Sequence, residues 1–296
     1  MIKLPYNQKI SLRQVTRAGG PPKRGPSWWV FLGESAGQDP SQIFYQIKMT
    51  KFFIGTSGFS YSHWKGDFYP QNLPASKFFD YYLTQFNTVE INSSFYHLPK
   101  KATFKNWYQK TRQLAGKAPK EFSFAVKASR FITHVKKLKD CQEPLKRLFD
   151  ACSALKEKLA VVLFQMPPSL RINQSKLNQF LSIIPQKIKT TFEFRHPSWF
   201  CPQIYQILKK FNSALTIADT PNYPYAQVLT ANFTYLRLHG HESLYSSNYS
   251  DNQLRHFASF LKKNFAKIKE AYVYFDNDAF GYAPKNAQTL IKILNQ

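Results

Sequence analysis

The sequence predicts an α/β fold, a single (β/α)8 barrel of the TIM type over residues 49–296. Short apolar strands recur at regular intervals after position 50, separated by stretches that resemble helices. Eight strand-helix units in about 250 residues match the usual size of this barrel. Each of the strands ends in a polar or charged residue. The carboxyl ends of barrel strands form the mouth where active sites lie.

The predicted strands are short runs rich in Phe, Val, Ile and Leu, bounded by polar or turn-forming residues. In chain order they cover residues 52–56, 88–92, 122–127, 160–165, 191–195, 215–219, 234–239 and 272–276. Apolar residues at helical spacing predict helices between them. The clearest are residues 75–85, 144–155, 203–211 and 254–265.

The first 48 residues do not follow this pattern. Residues 19–26 are rich in glycine and proline, which predicts a loop or disorder. Met49 stands directly before the first predicted strand. We expect residues 1–48 to be a disordered or dispensable extension. A transit peptide is the alternative, because Arg is present and Glu34 is the first acidic residue.

The composition narrows the class of protein. No apolar run approaches the ~20 residues of a membrane helix, which predicts no membrane span. Three cysteines without CxxC spacing indicate a reducing compartment, so we expect a cytoplasmic protein. The formal charge of +24 would attract phosphates or nucleic acid. Alternatively, it reflects lysines scattered over solvated helix surfaces. The sequence indicates no oligomeric state.

Alternation of side chains across each strand predicts which residues enter the barrel. In the fifth strand Phe192 and Phe194 should face the helices, so Glu193 and Arg195 should point inward. The same alternation in other strands, together with the polar residues that end the remaining strands, predicts a set of side chains that meet at one mouth of the barrel. Its residues are Glu90, Asn92, Lys127, Gln165, Glu193, Arg195, Asp219, Arg237, His239 and Asp276. A purely structural network is the alternative, since buried charges are costly unless all are paired.

Several loop motifs are more specific than a generic barrel. They are 54–61 with 64–70, 89–96, Lys127 with 132–134, 165–168, 193–199, 218–221, 237–240 and 274–278. Together and in this order they closely resemble the YecE-like family, DUF72, from about residue 52 to the last residue. The resemblance implies a TIM-type barrel and supports the mouth residues. It implies no particular reaction.

The residue types at the mouth suggest acid-base chemistry on an anion. We expect Glu90, Glu193, Asp219, His239 and Asp276 to be catalytic. We expect Thr56, Ser57, Asn92, Lys127, Gln165, Arg195, His196, Arg237 and Asn277 to bind substrate. Because three of these are cations, the expected ligand is a phosphorylated or carboxylated small molecule. The expected protein is an enzyme, with a hydrolase or lyase among the candidate classes.

Two alternatives remain at this point. We predict no cofactor and no metal ligands, because three nearby cations disfavour a bound dication. However, Glu193, Asp219, His239 and Asp276 carry donors that divalent metals accept. Such a site would suit a metal-dependent nuclease or phosphoesterase resembling endonuclease IV. The basic charge and the aromatic loop residues would also suit binding of nucleic acid.

Overall fold

A computed structural model describes residues 50–113 and 121–296, and these residues form a parallel β-barrel surrounded by helices. The strands are β1 (Lys51–Thr56), β2 (Thr88–Ile91), β3 (Ser123–Lys127), β4 (Leu159–Gln165), β5 (Thr190–Glu193), β6 (Ala214–Asp219), β7 (Phe233–Leu238) and β8 (Glu270–Phe275). The predicted fold class is confirmed, and strand bounds agree within two residues. The prediction for residues 1–48 lies outside the described part of the chain.

The helices pack an apolar face on the barrel. They are α1 (Phe78–Gln85), α2 (Lys101–Gln113), α3 (Gln142–Cys152), α4 (Gln174–Ser182), α5 (Pro202–Lys210), α6 (Asp251–Lys263) and α7 (Tyr282–Leu294). In α6, for example, Leu254, Phe257 and Leu261 are buried. None of the helices in the described residues combines the length and apolar character needed to cross a membrane.

One strand-helix unit differs from the prediction. Residues 220–232, all of them described, connect β6 to β7 without an α-helix. The segment contains Pro221 and Pro224, and proline in a helix interior removes a hydrogen bond and clashes with the preceding turn. The prediction of eight complete units was therefore wrong for this connection. The mouth gains an irregular loop there.

The strand order is β1-β8-β7-β6-β5-β4-β3-β2, and each ladder is parallel. The ends meet where Ser57 bridges Glu90 and the Gly58 N–H donates to the Glu90 carbonyl at 2.8 Å. Gly55 makes this approach possible, because a Cβ atom there would lie 2.2 Å from the Thr88 carbonyl oxygen. The barrel thus closes beside the second strand's inward carboxylate.

Two apolar layers follow from the alternation of side chains. The outer layer lies between strands and helices and includes Val89, Phe124 and Phe192. The inner cluster fills the barrel below the mouth. It consists of Phe53, Ala125, Val161, Leu163, Ala214, Phe233, Tyr235, Tyr272 and Tyr274. The polar residues at the strand ends therefore stand on an apolar floor.

Candidate functional site

A fully buried arginine, Arg237 on β7, lies at the centre of the mouth. Its Nη2 donates to Glu90 Oε1 at 2.7 Å and to Asp276 Oδ2 at 3.0 Å, and its Nη1 donates to Glu193 Oε2 at 2.7 Å. Nε donates to Glu90 Oε2 at 2.9 Å. We call these four residues and His239 the Arg237 cluster. It joins the ends of β2, β5, β7 and β8.

The charges of the Arg237 cluster stabilise one another. Burial alone would raise the pKa values of Glu193 and Asp276, but Arg237 holds both below their usual range. Burial would also lower the pKa of Arg237, yet the carboxylates, Glu90 first, raise it well above the usual value. Glu193, Asp276 and Arg237 are therefore ionised at neutral pH. The guanidinium of Arg237 is bonded to side chains of the protein and has no donor left to hold a substrate.

Neighbouring side chains fix two of the carboxylates. The Ser57 hydroxyl donates to Glu90 Oε1 and the Tyr235 hydroxyl to Glu90 Oε2, both at 2.6 Å. Gln165 Nε2 donates to Glu193 Oε1 at 2.8 Å. Of the predicted site residues, Ser57 thus contacts Glu90, and Gln165 contacts Glu193. Because Glu90 and Glu193 accept several hydrogen bonds each, their side chains are held in place.

His239 lies between Arg237 and two carboxylates of this cluster. Its Nε2 is 3.1 Å from Arg237 Nη1 and 3.5 Å from Glu193 Oε1. Its Nδ1 faces Asp276 Oδ2 at 3.0 Å, without the geometry of a hydrogen bond. Both ring nitrogens therefore lie next to charged groups.

Lys127, at the end of β3, lacks the partners that Arg237 has. The residue is 6% exposed, and its Nζ lies 4.3 Å from the centre of the Phe95 ring. Among the described residues no side chain forms a hydrogen bond or a salt bridge with Nζ, although the charges of Asp276, Glu193 and Glu90 lie close enough to act on it. Burial, followed by repulsion from Arg237, lowers the pKa of Lys127 to about 8.

Arg195 lies nearer the rim of the mouth, just after β5. Its Nε donates to Glu193 Oε1 at 3.1 Å, and its side chain is 11% exposed. The guanidinium stacks on Tyr223 of the β6–β7 loop, 4.6 Å from the ring centre. Stacking and the Nε contact hold the plane of the guanidinium. A side-chain hydrogen bond with Tyr245 adds a further contact.

His134, in the β3–α3 loop, lies in a positive electrostatic potential at the rim of the mouth. Burial, then the charges of Arg195 and Lys127, lower the pKa of His134 to about 4. Its ring packs edge-on against Phe95 with centres 5.1 Å apart. His134 is thus neutral at physiological pH. The two cations that depress its pKa would attract an anion to the same place.

Asp219 is not part of the Arg237 cluster, although the prediction grouped them. It shares the strand parity of Leu215 and Ile217, which face the helices. Its carboxylate accepts from the Tyr249 hydroxyl at 2.7 Å and lies 3.1 Å from His241 Nδ1. Asp219 therefore organises a separate group between the β6 and β7 loops.

Three other predicted residues are used in local structure. Thr56 Oγ1 lies 2.9 Å from the Tyr82 hydroxyl, on the helix side of β1. His196 Nδ1 accepts from a backbone N–H at 3.2 Å and caps the short turn that follows it. The Asn277 amide donates to Asn286 at 2.8 Å. The structure does not bring these side chains to the Arg237 cluster.

Asn92 borders a cavity beside the mouth. The cavity has a volume of about 430 Å³, and Gly58, Tyr61, Tyr96 and Trp107 are among its lining residues. Asn92 Oδ1 is buried without a hydrogen-bond partner in the described residues. A buried amide oxygen without a partner is costly, so this atom is suited to accept from a ligand or water.

Two further polar residues were missed from the sequence. His241 contacts Asp219, and the H-x-H spacing of His239 and His241 was the signal that could have found it. Asp278 follows β8 and has a pKa raised to about 6 by burial and then by Asp276. Its alternation with Asp276 along the chain could have indicated a pair of carboxylates.

The donor arrangement does not fit the metal alternative. Within residues 50–113 and 121–296, no group of three or more His, Cys, Asp or Glu side chains is placed to hold a metal ion. Asp219 lies apart from the other proposed ligands. Glu193 and Asp276 instead bind the guanidinium of Arg237, which occupies the position between them.

The fold and the site define a (β/α)8-barrel protein with a buried charge cluster at the carboxyl-terminal mouth. The family model described as "Protein of unknown function DUF72" matches residues 53–296. The chain belongs to the DUF72 family, which confirms the resemblance read from its motifs.

Relatives from bacteria agree with this assignment. The UPF0759 protein YunF of Bacillus subtilis is 25% identical over 276 residues, covering 82% of this chain and 94% of that protein. The UPF0759 protein YecE of Escherichia coli is 27% identical over 120 residues, 40% of this chain and 42% of YecE. A crystal structure of a DUF72 family protein from Thermotoga maritima has 29% identity and a TM-score of 0.71, covering 83% of this chain and 100% of that one.

Proposed function

We propose that the protein is an enzyme that binds a small phosphorylated or carboxylated molecule in the barrel mouth and acts on it by acid-base chemistry. The observation that carries this proposal is the pair of cations Lys127 and Arg195, both near His134 at the mouth. Arg237 has all its donors engaged, whereas these two cations do not. A buried charge without a full set of partners lowers the stability of the fold, so stability does not explain why these cations are there.

Arg195 would be the main anion receptor. Its plane is held by Tyr223 and by Glu193, so less entropy is lost when a ligand binds. A guanidinium presents paired N–H groups that match a carboxylate or a phosphate. The low pKa of His134 supports a positive field beside it. A ligand anion would be drawn to this point by charge and oriented by Arg195.

Asp276 and Asp278 are the proposed acid-base pair. Asp276 Oδ2 accepts a hydrogen bond from Arg237 and faces His239, so Asp276 remains a carboxylate. Burial and then Asp276 raise the pKa of Asp278 to about 6, so near neutral pH this group can both donate and accept a proton. The environments of the two carboxyl groups push their pKa values apart, as acid-base catalysis requires.

Thermal shift with inorganic phosphate and with oxalate tests anion binding. A ligand that binds only the folded state raises Tm by mass action. We expect both anions to raise Tm in the wild type, relative to chloride at equal ionic strength, and to have no effect on Arg195→Met. Lys146→Met, which removes an exposed charge on α3, is the matched control and should respond like the wild type.

Two results would contradict this function. One is stabilisation by neutral sugars but not by anions. The other is an equal response to phosphate in the wild type and in Arg195→Met. Either result would mean that the charged residues of the mouth form a structural network rather than an anion receptor.

Binding of single-stranded nucleic acid is a second candidate. Large apolar side chains are exposed on loops that follow strands, such as Tyr96 at 73%, Phe131 at 49% and Phe280 at 64%. The β3–α3 loop also carries the basic residues Arg130 and Lys137. Bases stack on aromatic side chains, and cations follow the phosphates.

Fluorescence anisotropy with labelled oligonucleotides tests this candidate. Affinity should fall steeply between 50 and 200 mM salt, about 10-fold or more, because counterions are released on binding. Phe131→Ala should weaken binding at every salt concentration. Weak binding that does not respond to salt would exclude it.

A further inference from the structure

We propose that Lys127 is a nucleophile that forms an imine with the carbonyl group of an anionic substrate. The inference rests on the proposed anion-binding function and goes further, because it names the substrate class. That class is a 2-oxo acid or a keto phosphate, in which a carbonyl lies near the anionic group. Arg195 would hold the anion, and Lys127 would attack the carbonyl carbon.

The position of Lys127 suits this role. It is the last residue of β3, and its inward parity places the side chain at the mouth above Ala125. The Ser94 hydroxyl contacts the Lys127 carbonyl oxygen at 2.6 Å and fixes the backbone. The ring of Phe95 lies against the ammonium. The residue is thus held by its backbone and by an apolar neighbour, while Nζ has no fixed acceptor among the described residues.

An amine attacks a carbonyl only in its neutral form. With a pKa of about 8, Lys127 is deprotonated to a useful extent near neutral pH. An ordinary lysine, with a pKa of 10.5, has on the order of 100-fold less neutral amine there. Desolvation is one of the ways in which catalytic lysines are activated. Phe95 and the apolar floor of the barrel supply this desolvation.

The chemical step is balanced without a cofactor. Nζ forms a bond to the carbonyl carbon, and an amine proton passes to the carbonyl oxygen to give a carbinolamine. That oxygen takes one further proton from solvent at the mouth and leaves as water. The product is a protonated imine on Lys127. It keeps one positive charge at the position of the ammonium, so the surrounding carboxylates still stabilise it.

Reductive trapping tests the imine. The full chain is incubated with pyruvate and sodium cyanoborohydride at pH 8, and the modified lysines are mapped by peptide mass spectrometry. We expect Lys127 to be labelled at least about 10-fold more than exposed Lys146, because of its larger neutral fraction. Acetone, which has the carbonyl without the anion, should label Lys127 far less. Lys127→Arg keeps the charge and should abolish the selective adduct.

The pH dependence of the yield of the trapped adduct gives an independent check. Labelling of Lys127 should rise with a midpoint near pH 8, whereas that of Lys146 should still be rising at pH 10. Labelling spread over surface lysines without preference for Lys127 would overturn the inference, and so would equal labelling by acetone. Because the sites are mapped in the wild type, this result does not depend on the folding of a variant.

The two proposals fail separately. If phosphate raises Tm through Arg195 and no adduct forms at Lys127, the imine inference is wrong and anion binding stands. If phosphate has no effect and no adduct forms, both are wrong. Selective trapping that is lost in Arg195→Met would support both.

Discussion

Replacing Lys127 with methionine should stabilise the protein at neutral pH. Burial lowers the pKa of this lysine from its ordinary value of 10.5 to about 8 in the folded protein. Each pKa unit corresponds to 1.36 kcal/mol, so the protonated form is disfavoured by about 3 kcal/mol. Methionine has a similar length and no charge. We therefore expect a gain in the free energy of unfolding of up to about 3 kcal/mol at pH 7.

The pH dependence follows from the direction of this shift. Between pH 8 and 10.5 the folded lysine binds fewer protons than the unfolded one, so the stability of the wild type rises with pH. Below pH 8 both states are protonated and the full cost is present. The advantage of Lys127→Met should therefore shrink from pH 8 upward and disappear near pH 10.5.

Denaturant titration at pH 7, 9 and 10.5 measures this difference. Lys146→Met on α3 is the control, because that lysine is exposed and its removal should change stability little at any of these pH values. A loss of stability in Lys127→Met at pH 7 would refute the reasoning. A gain of constant size at all three pH values would also refute it, since packing rather than charge would then be the cause.

Three further outcomes are expected. Arg237→Met should lower the free energy of unfolding by at least about 3–5 kcal/mol in a denaturant titration, because it leaves buried carboxylates without their partner. Gly55→Ala should lower stability by about 1–3 kcal/mol, measured in the same way, since its Cβ would lie 2.2 Å from the Thr88 carbonyl oxygen. Asp278→Asn should raise Tm at pH 7.5 and not at pH 4, because burial, followed by Asp276, raises the pKa of Asp278 to about 6. The folded carboxyl keeps its proton between pH 4 and 6, so stability is lost there as pH rises.

The barrel was predictable because its strands have one apolar and one polar face near the mouth. Glu193 and Arg237 were assigned inward from the alternation alone, and both lie in the Arg237 cluster. The same alternation would have placed Asp219 with Ile217 and Thr56 with Ile54, facing the helices. These two were instead assigned from their position at strand ends. Parity was the better guide where the two criteria differed.

The sequence could not show which of the three mouth cations has its donors bonded to carboxylates of the protein. Arg237, Arg195 and Lys127 all follow the inward pattern, and each stands at or near a strand end. The difference arises across the barrel, since Glu90 on β2 and Asp276 on β8 converge on Arg237. Such convergence depends on strand register and on side-chain length. Neither is encoded in a local pattern.

The contrast between Arg237 and Lys127 separates structure from function at this mouth. Arg237 has a partner for each of its donors, so its presence is explained by the carboxylates around it. Lys127 is as inward and nearly as buried, yet it has no hydrogen-bonded partner in the described residues. A chain selected for stability alone would place an apolar side chain there, because a buried charge without a hydrogen-bonded partner is destabilising. The unfavourable charge is therefore the strongest reason to look for a ligand at Lys127.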